Sequence, residues 1–385
     1  MAISLKQVYL ETKQKYQLEL VAGEAGLERM INWVYRMESL EDIEFLKGGE
    51  LIITTGFIFQ QDEALLQLLK ALKEKRCCGL ILNIGKYIES ASLPVRQYCE
   101  LQKLPLFEMP WEVHIMELSR DYYKRIDQSE RISQELSEAF HVILEHPDMM
   151  RAYKNVLEQN GFLEVQSYYC VLLHGIAVAD ESLNEAIGYM MRKVPCYCLL
   201  EYEGDYLLIV AAEEEQLLKS LAYKLQSRCE EINGQGTIYV GIGSKAENLQ
   251  LLMYSLKNAR AALQKGMYFE EKVTVFEEMG MYQILMSVSQ EAVLKRYYER
   301  YLAPLVIYDQ IHQMDLIETL RLYLKYDGSV SRVAKELFVH RNTVNHRMSR
   351  IKEILQLQLE ISEECFNVQT ALYIYDLYAL RKEVQ

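Results

Sequence analysis

The stretch that most restricts the fold is "CGLILNIG", Cys78–Gly85. It is an unbroken apolar run of strand length, bounded by glycine. Its neighbours alternate in type. An amphipathic helix is predicted near Leu5–Tyr16, then strands in "INWVYRM" and "GGELIITTG", and a helix over Asp62–Lys75. A second helix over Pro94–Gln102 and a short strand in "LPLFEMP" follow "CGLILNIG". Helix and strand in alternation point to an α/β domain with a largely parallel sheet, assigned to residues 1–110.

From Trp111 to about Gly161 the pattern becomes one long helical stretch, and residues 111–160 are assigned to a linker or dimerisation helix. With Ile115 at position a, the seam holds Leu118, Tyr122, Ile132, Leu136, Ala139 and Ile143, and is broken by Arg125 and Ser129. Such an imperfect heptad suits a signalling or dimerisation helix. It equally suits a helix lying on a neighbouring domain.

Residues 161–280 return to an α/β pattern. "SYYCVLLHG" is a strand, Glu181–Lys193 a helix, and "CYCLLEYEGDYLLIVAA" two strands joined at Glu203-Gly204-Asp205. Glu213–Ile232 is a helix, "TIYVGIG" a strand, Glu247–Lys265 a helix and "VTVFEE" a last strand. The order is ferredoxin-like. Residues 281–385 are predicted to be helical, with Pro304 as a kink or boundary. The expected whole is therefore multi-domain: two α/β domains joined by a long helix, then an all-α carboxyl-terminal bundle.

Within that bundle, Val330, Val333, Ala334 and Leu337 share one face of a short helix, with Asp327-Gly328 ending the helix before it and Ser329 placed to cap it. Phe338-Val339-His340 forms a tight break. Val344, Met348, Ile351 and Leu355 then form the stripe of a second helix, opposite Asn342, Asn345, His346 and Ser349. Arg341, Arg347 and Arg350 flank that polar face. The pair reads as a helix-turn-helix whose second helix enters the major groove. Asn342, Asn345, His346 and Ser349 are candidates for base contacts, since an amide pairs bidentately with adenine. Ser329, Ser331, Arg341, Thr343, Arg347 and Arg350 are candidates for phosphate contacts.

Charge supports this. The chain carries −13 overall, which repels a polyanion. Between Ser329 and Lys352, however, six basic residues face the single acid Glu336, a local +5. No apolar run reaches membrane-spanning length, and "MAISLKQVYLETKQKYQ" is unlike a signal peptide, so a cytoplasmic location is expected. The eight cysteines form no CxxC pair; buried reduced thiols are expected, with a vicinal redox pair as the alternative. The seven scattered histidines hold no HExxH or HxH, so neither a metal nor another cofactor is expected. "VGIGSK" lacks the third glycine of a nucleotide loop, and no nucleophile or phosphate-loop motif occurs. The tyrosine-rich "TALYIYDLYAL" has the spacing of core or dimer surface.

At "ETLRLYLKYDGSVSRVAKELFVHRNTVNHRMSRIKEIL" the chain resembles the PucR family of bacterial transcription regulators, whose helix-turn-helix is Fis-like. "RMINWVYRMESLEDIEFLKGGELIITTG" is similar to that family's sensory domain through Trp33-Val34, Glu38, Gly48-Gly49-Glu50-Leu51 and Thr54-Thr55-Gly56. "VGIGSKAENLQLLMYSLKNARAAL" resembles the GGDEF-like domain found between the two. The resemblance implies a regulator, often an activator, of catabolic or transport genes that answers to purine intermediates, amino acids or related nitrogen compounds. Its implied partners are double-stranded DNA, a small-molecule effector, a second or further copies of the chain, and RNA polymerase. A working diguanylate cyclase needs a Gly-Gly-Asp/Glu-Glu-Phe turn, whereas "EYEGDYLL" stands here, so the middle domain is expected to be silent and the chain no enzyme. The competing reading is a nucleotide-processing enzyme built on that domain.

Trp33, Glu38, Gly48, Gly49, Glu50, Thr54 and Thr55 are the candidate effector ligands. Glycines expose backbone N–H groups there, beside a carboxylate and two hydroxyls. The same stretch also reads as a tight turn feeding a strand.

Overall fold

In the computed structural model the described residues are 3–176, 181–191, 194–234, 236–358 and 361–382. The chain divides into two compact units, Met1–Leu263 and Gln264–Gln385.

The first unit opens with α1 (Leu5–Thr12), β1 (Glu19–Ala22), β2 (Trp33–Arg36), β3 (Glu50–Thr54), α2 (Asp62–Glu74), β4 (Gly79–Ile84), α3 (Leu93–Leu101) and β5 (Leu106–Pro110). The strand order is β1-β5-β4-β3-β2. Strands β2 to β5 are mutually parallel, and β1 joins β5 antiparallel. Alternation along the central strands feeds two cores. Leu51, Ile53 and Ile81 meet Leu5 and Val8 of α1, while Ile52, Leu80 and Leu82 meet Leu65, Leu68 and Leu72 of α2 and Val95 of α3. Only β1 has no counterpart in the sequence-based expectation. Its four residues take a strand conformation because β5, distant in sequence, offers a free edge.

Helix α4 (Ile115–Glu145) comes next. The expected unbroken stretch to Gly161 instead breaks at Pro147, and α5 (Met150–Gln159) follows as a separate helix. Proline has no N–H to donate and disfavours the helical region for the residue before it; His146 accordingly sits at φ −132°, ψ 78°. Leu118, Tyr122 and Ile126 belong to the core of the first sheet. Leu136, Phe140, Ile143 and Leu144 belong to that of the second. The two seam-breaking positions fall between. Arg125 pairs with Asp121 at 3.2 Å and also with Glu11. The apolar stripe of α4 is thus occupied inside the unit, as the packing alternative requires.

The second sheet comprises β6 (Tyr168–His174), β7 (Tyr197–Tyr202), β8 (Asp205–Ala211) and β9 (Tyr239–Ile242), with α6 (Glu181–Met190) and α7 (Glu215–Asn233) between them. Within the unit the order is β9-β6-β8-β7, all antiparallel. Residues Arg192 and Lys193, expected to end α6, lie outside the described residues. Glu203 and Gly204 both have positive φ and close a two-residue hairpin. Along α8 (Leu252–Tyr268), the two glycines of "VGIG" find their reason. A Cβ on Gly241 would lie 2.3 Å from the Ala259 carbonyl, and one on Gly243 2.0 Å from that of Ser255. These glycines admit a helix backbone rather than a phosphate.

The second unit carries β10 (Val273–Val275) and seven helices among its described residues: α9 (Met281–Ser287), α10 (Glu291–Tyr301), α11 (Ala303–His312), α12 (Leu316–Lys325), α13 (Val330–Glu336), α14 (Arg341–Leu355) and α15 (Ser362–Lys382). Pro304 lies in the first turn of α11 and marks a boundary rather than a kink. Leu316, Leu320, Val333, Ala334, Val344, Met348, Ile351, Val368 and Leu372 form one core. The tyrosine-rich segment falls in α15, where Ile374 and Leu377 pack with Leu285 and Leu294. Asp376 is 1% exposed and accepts from Arg321 at 2.9 and 2.7 Å and from Tyr282 at 3.0 Å.

Candidate nucleic-acid interface

Helices α13 and α14 form from local signals. Asp327 and Gly328, both with positive φ, end α12. Ser329 occupies the N-cap position of α13, but its hydroxyl makes no capping bond. His340 caps α14, its Nδ1 accepting from the Asn342 N–H at 3.3 Å. Val333 and Ala334 of α13 and Val344, Met348 and Ile351 of α14 are buried together.

The opposite face of α14 is solvent-exposed. Arg341, Asn342, Thr343, Asn345, His346 and Ser349 are all exposed. Among the described residues, the side chains of Arg341, Asn342, Asn345, His346 and Ser349 make no hydrogen bond or ion pair. Ser331 on α13 is exposed, and Ser329 is half-buried.

The three arginines do not act alike. The Arg347 side chain is 16% exposed and donates to Thr319 Oγ1 at 3.1 Å and Asp315 Oδ2 at 3.2 Å, both from the start of α12. Arg350 donates to the Tyr308 hydroxyl at 3.1 and 3.0 Å, lies over its ring and pairs with Glu353 at 2.6 Å. These two arginines tie α14 to α11 and α12; Arg341 alone of the three points away. Arg332 and Lys335 on α13, which entered the sequence reading only as charge, are exposed. Phe338, the first residue of the expected break, is 96% exposed in the turn between α13 and α14, at φ +54°.

The seven candidate effector ligands do not converge on one spot. Trp33 and Glu50 are paired in register at the amino ends of β2 and β3, next to Gly48 and Gly49. Glu38, Thr54 and Thr55 lie at the carboxyl ends. Glu50 is 7% exposed and accepts the N–H groups of Lys47 at 2.7 Å and Gly48 at 2.9 Å, so its carboxylate closes the glycine turn. Trp33 is half exposed and stacks edge-on with Tyr123. Glu38 is bound by the Thr55 N–H at 3.0 Å and by the hydroxyls of Thr55 at 2.9 Å and Thr54 at 3.3 Å.

Phe57, Tyr87 and Trp111 stand in a row, with ring centroids 5.1 and 5.7 Å apart, on the loops that leave β3, β4 and β5. Lys86 lies over two of those rings. Nothing in the sequence periodicity pointed to this row, since its members come from three separate loops.

All eight cysteines are free, and seven are buried. Burial pushes the thiols of Cys99, Cys170, Cys196 and Cys198 up to about 12 and that of Cys229 up to about 11. Thiolates, the form that reacts, are therefore scarce near neutrality. No group of three or more His, Cys, Asp or Glu side chains suited to a metal occurs among the described residues. In the β7–β8 turn, where a cyclase would hold nucleotide and metal, Glu203 is paired with Arg260 at 2.5 Å.

Residues 9–126 match the purine catabolism regulatory protein-like family, PucR, and residues 316–374 match the PucR C-terminal helix-turn-helix domain. The chain thus carries the amino-terminal domain and the helix-turn-helix domain of PucR-type regulators. The curated relatives come from Bacillus subtilis. The DNA-binding transcriptional activator AdeR is 27% identical over 49% of this chain and 47% of its own length. The proline-responsive transcriptional activator PutR is 26% identical over 55% of this chain and 54% of its own. A purine catabolism regulatory protein is 26% identical over 25% of this chain and 18% of its own. The chain spans about half the length, or less, of these relatives.

Proposed function

From a chain that carries these two PucR-type domains, we infer a ligand-responsive transcription regulator that binds double-stranded DNA through α14. The observation that carries this reading is the exposed face of α14. Five polar or charged side chains stand there with no partner among the described residues, on a helix whose other face is core. Water alone would be met equally well by the Glu and Lys usual on a solvated helix face; short amides, an imidazole and a guanidinium in one row suit base edges and phosphates.

In this reading Asn342, Asn345, His346 and Ser349 meet base edges, and Arg341 and Thr343 meet phosphates. Ser329 and Ser331 flank the same strand. Arg332 and Lys335 take over the phosphate role first given to Arg347 and Arg350, which position the helix. One such motif buries little surface, so a homodimer or larger assembly on two half-sites about one helical turn apart completes the reading.

The division into 1–110 as sensory domain, 111–160 as helical linker, 161–280 as a silent ferredoxin-like domain and 281–385 as the DNA-binding bundle forms part of the proposal. The β9-β6-β8-β7 order suits the ferredoxin-like assignment. Parallel sheets take ligands beyond their strands' carboxyl ends. In this reading the effector binds near Glu38, Thr54 and Thr55, while Trp33, Gly48, Gly49 and Glu50 support the fold. Occupancy there would shift α4, which enters one core of each sheet in its unit, by favouring one arrangement of the assembly. A purine, ureide or amino acid is the effector class proposed; of these, the relatives' names mention purine catabolism and proline. Activation of neighbouring catabolic or transport genes, through contact with RNA polymerase in the cytoplasm, follows by the same route; no described helix is long and apolar enough to cross a membrane.

The test is retention of DNA fragments from upstream of the chain's own and adjacent genes across a salt series. Specific, salt-sensitive retention that Asn345→Ala weakens supports the reading. Retention that is absent at low salt, or indifferent to both Asn345→Ala and Arg341→Ala, refutes it.

A further inference from the structure

A cleft of about 670 Å³ opens within the first unit, away from the residues discussed so far. One wall carries Gly26, Arg29, Arg76 and Lys103 from the first sheet's loops. The other carries Met190 of α6 and Arg228 and Glu231 of α7. Four cations therefore converge in a chain of net charge −13. Of the two carboxylates in the lining, Glu28 pairs with Lys6, outside it, at 2.9 Å, and Glu231 pairs with Arg228 at 2.6 Å, so Arg228 meets a ligand only by exchanging this exposed partner.

The cationic character extends beyond the lining. Burial, and then the charges of Arg29 and Lys103, lower the Lys73 ammonium from its usual range. The walls are also firmly built. Arg29 donates to the Cys77 carbonyl at 2.9 Å. A Cβ on Gly26 would lie 2.1 Å from the Lys103 carbonyl, and one on Gly188 of α6 would lie 2.3 Å from Met30 Cε, so the parts that frame the cleft are in close contact.

We infer that this cleft binds a small molecule bearing two or more anionic oxyacid groups, carboxylate or phosphate, held between Arg29, Arg76 and Lys103 on one side and Arg228 on the other. Guanidinium groups match both oxyacids in geometry, and the cleft has the size of a small-molecule site. Bound anion offsets the mutual repulsion of the cations and fastens α7 to the first sheet's loops. Nothing here depends on the DNA-binding reading, and failure of either leaves the other standing.

Calorimetry on the full chain, with pyrophosphate and citrate as probes at matched ionic strength, tests the inference. At least one probe is expected to bind saturably and to raise the melting temperature. The stronger of the two assigns the site to phosphate or to carboxylate. Lys103→Gln combined with Arg228→Gln, both at exposed positions, should weaken binding roughly 10- to 100-fold, the loss of charged hydrogen bonds. Absence of saturable binding by either probe overturns the site, as does binding that the double variant leaves undiminished.

Discussion

Helices α4 and α14 are both amphipathic, and they use their polar faces in opposite ways. The 31 residues of α4 contribute apolar side chains to two cores, and its polar positions find partners on the segment around α1. Asp121 accepts from Lys15 at 2.7 Å and Tyr16 at 2.8 Å, Arg125 adds a further contact, and Tyr122 shares a 2.9 Å hydrogen bond with Thr12. The 15 residues of α14 bury one stripe and leave Arg341, Asn342, Asn345, His346 and Ser349 without partners among the described residues. A polar residue on a helix is therefore no indication of function by itself. What separates the two helices is whether the protein supplies the partner.

The largest expected effect is on α4. Phe140 is wholly buried and stacks edge-on with Phe162 at 4.9 Å. Phe140→Ala should destabilise the first unit by about 3–5 kcal/mol in denaturant unfolding, through lost burial and the cavity left behind. Asn345→Ala should leave unfolding within about 0.5 kcal/mol of the parent, since the side chain touches nothing it would miss. Its effect belongs to DNA binding, a loss of about 1–3 kcal/mol with relaxed preference at one base position. If Asn345→Ala instead lowered stability as Phe140→Ala does, the contrast between the helices would disappear.

The two faces of α14 were legible in the sequence because they are local. The 3.6-residue period of Val344, Met348 and Ile351 fixes the buried stripe, and the residues between them fix the polar side. The roles of the arginines were not legible, because the partners of Arg347 lie 28 and 32 residues away on α12. The same distance effect hid β1, whose four residues acquire strand character only from β5. The candidate effector residues looked like one cluster because strand positions adjacent in sequence look adjacent in space. At about 3.3 Å per residue, β3 carries its two ends more than one ligand length apart, so Glu50 and Thr54 serve different rims of the sheet. The break at Pro147 was the opposite case: the signal was local, but the helical pattern on both sides of it obscured the boundary.

The arginines give the next contrast. Arg347→Ala removes two hydrogen bonds to α12 and should lower the stability of the second unit by about 1–3 kcal/mol. Arg341→Ala should leave stability unchanged and reduce the slope of log affinity against log salt by about one, the signature of a lost phosphate contact. On α4, pH separates the roles further. Burial alone would raise the carboxyl of Asp121, but hydrogen bonds from Lys15 and Tyr16 and the charge of Arg125 outweigh it, and its pKa is lowered. A depressed carboxyl contributes stability above its unfolded value of about 3.9, and that contribution is lost as pH falls through the folded value. The parent should therefore lose more stability than Asp121→Asn between about pH 5 and the acid limit of folding. Parallel acid curves for the two proteins would remove Asp121 from the packing account.

The smallest effect concerns the turn that sets α14 against α13. Phe338 holds φ at +54°, a conformation that a bulky side chain adopts only at a cost, and its ring is 96% exposed, so burial returns nothing for that strain. Left-handed backbone costs an ordinary residue about 1–2 kcal/mol, and glycine gives back about 0.5–1 kcal/mol of that in unfolded-state entropy. Phe338→Gly should then stabilise the second unit by about 0.5–1 kcal/mol in thermal unfolding. Because the ring touches no core residue, this gain should appear without any change in the packing of Val344 and Met348. A loss of stability would mean instead that the ring has an apolar partner within the chain, and that the outward side of the turn is less open than the polar side of α14.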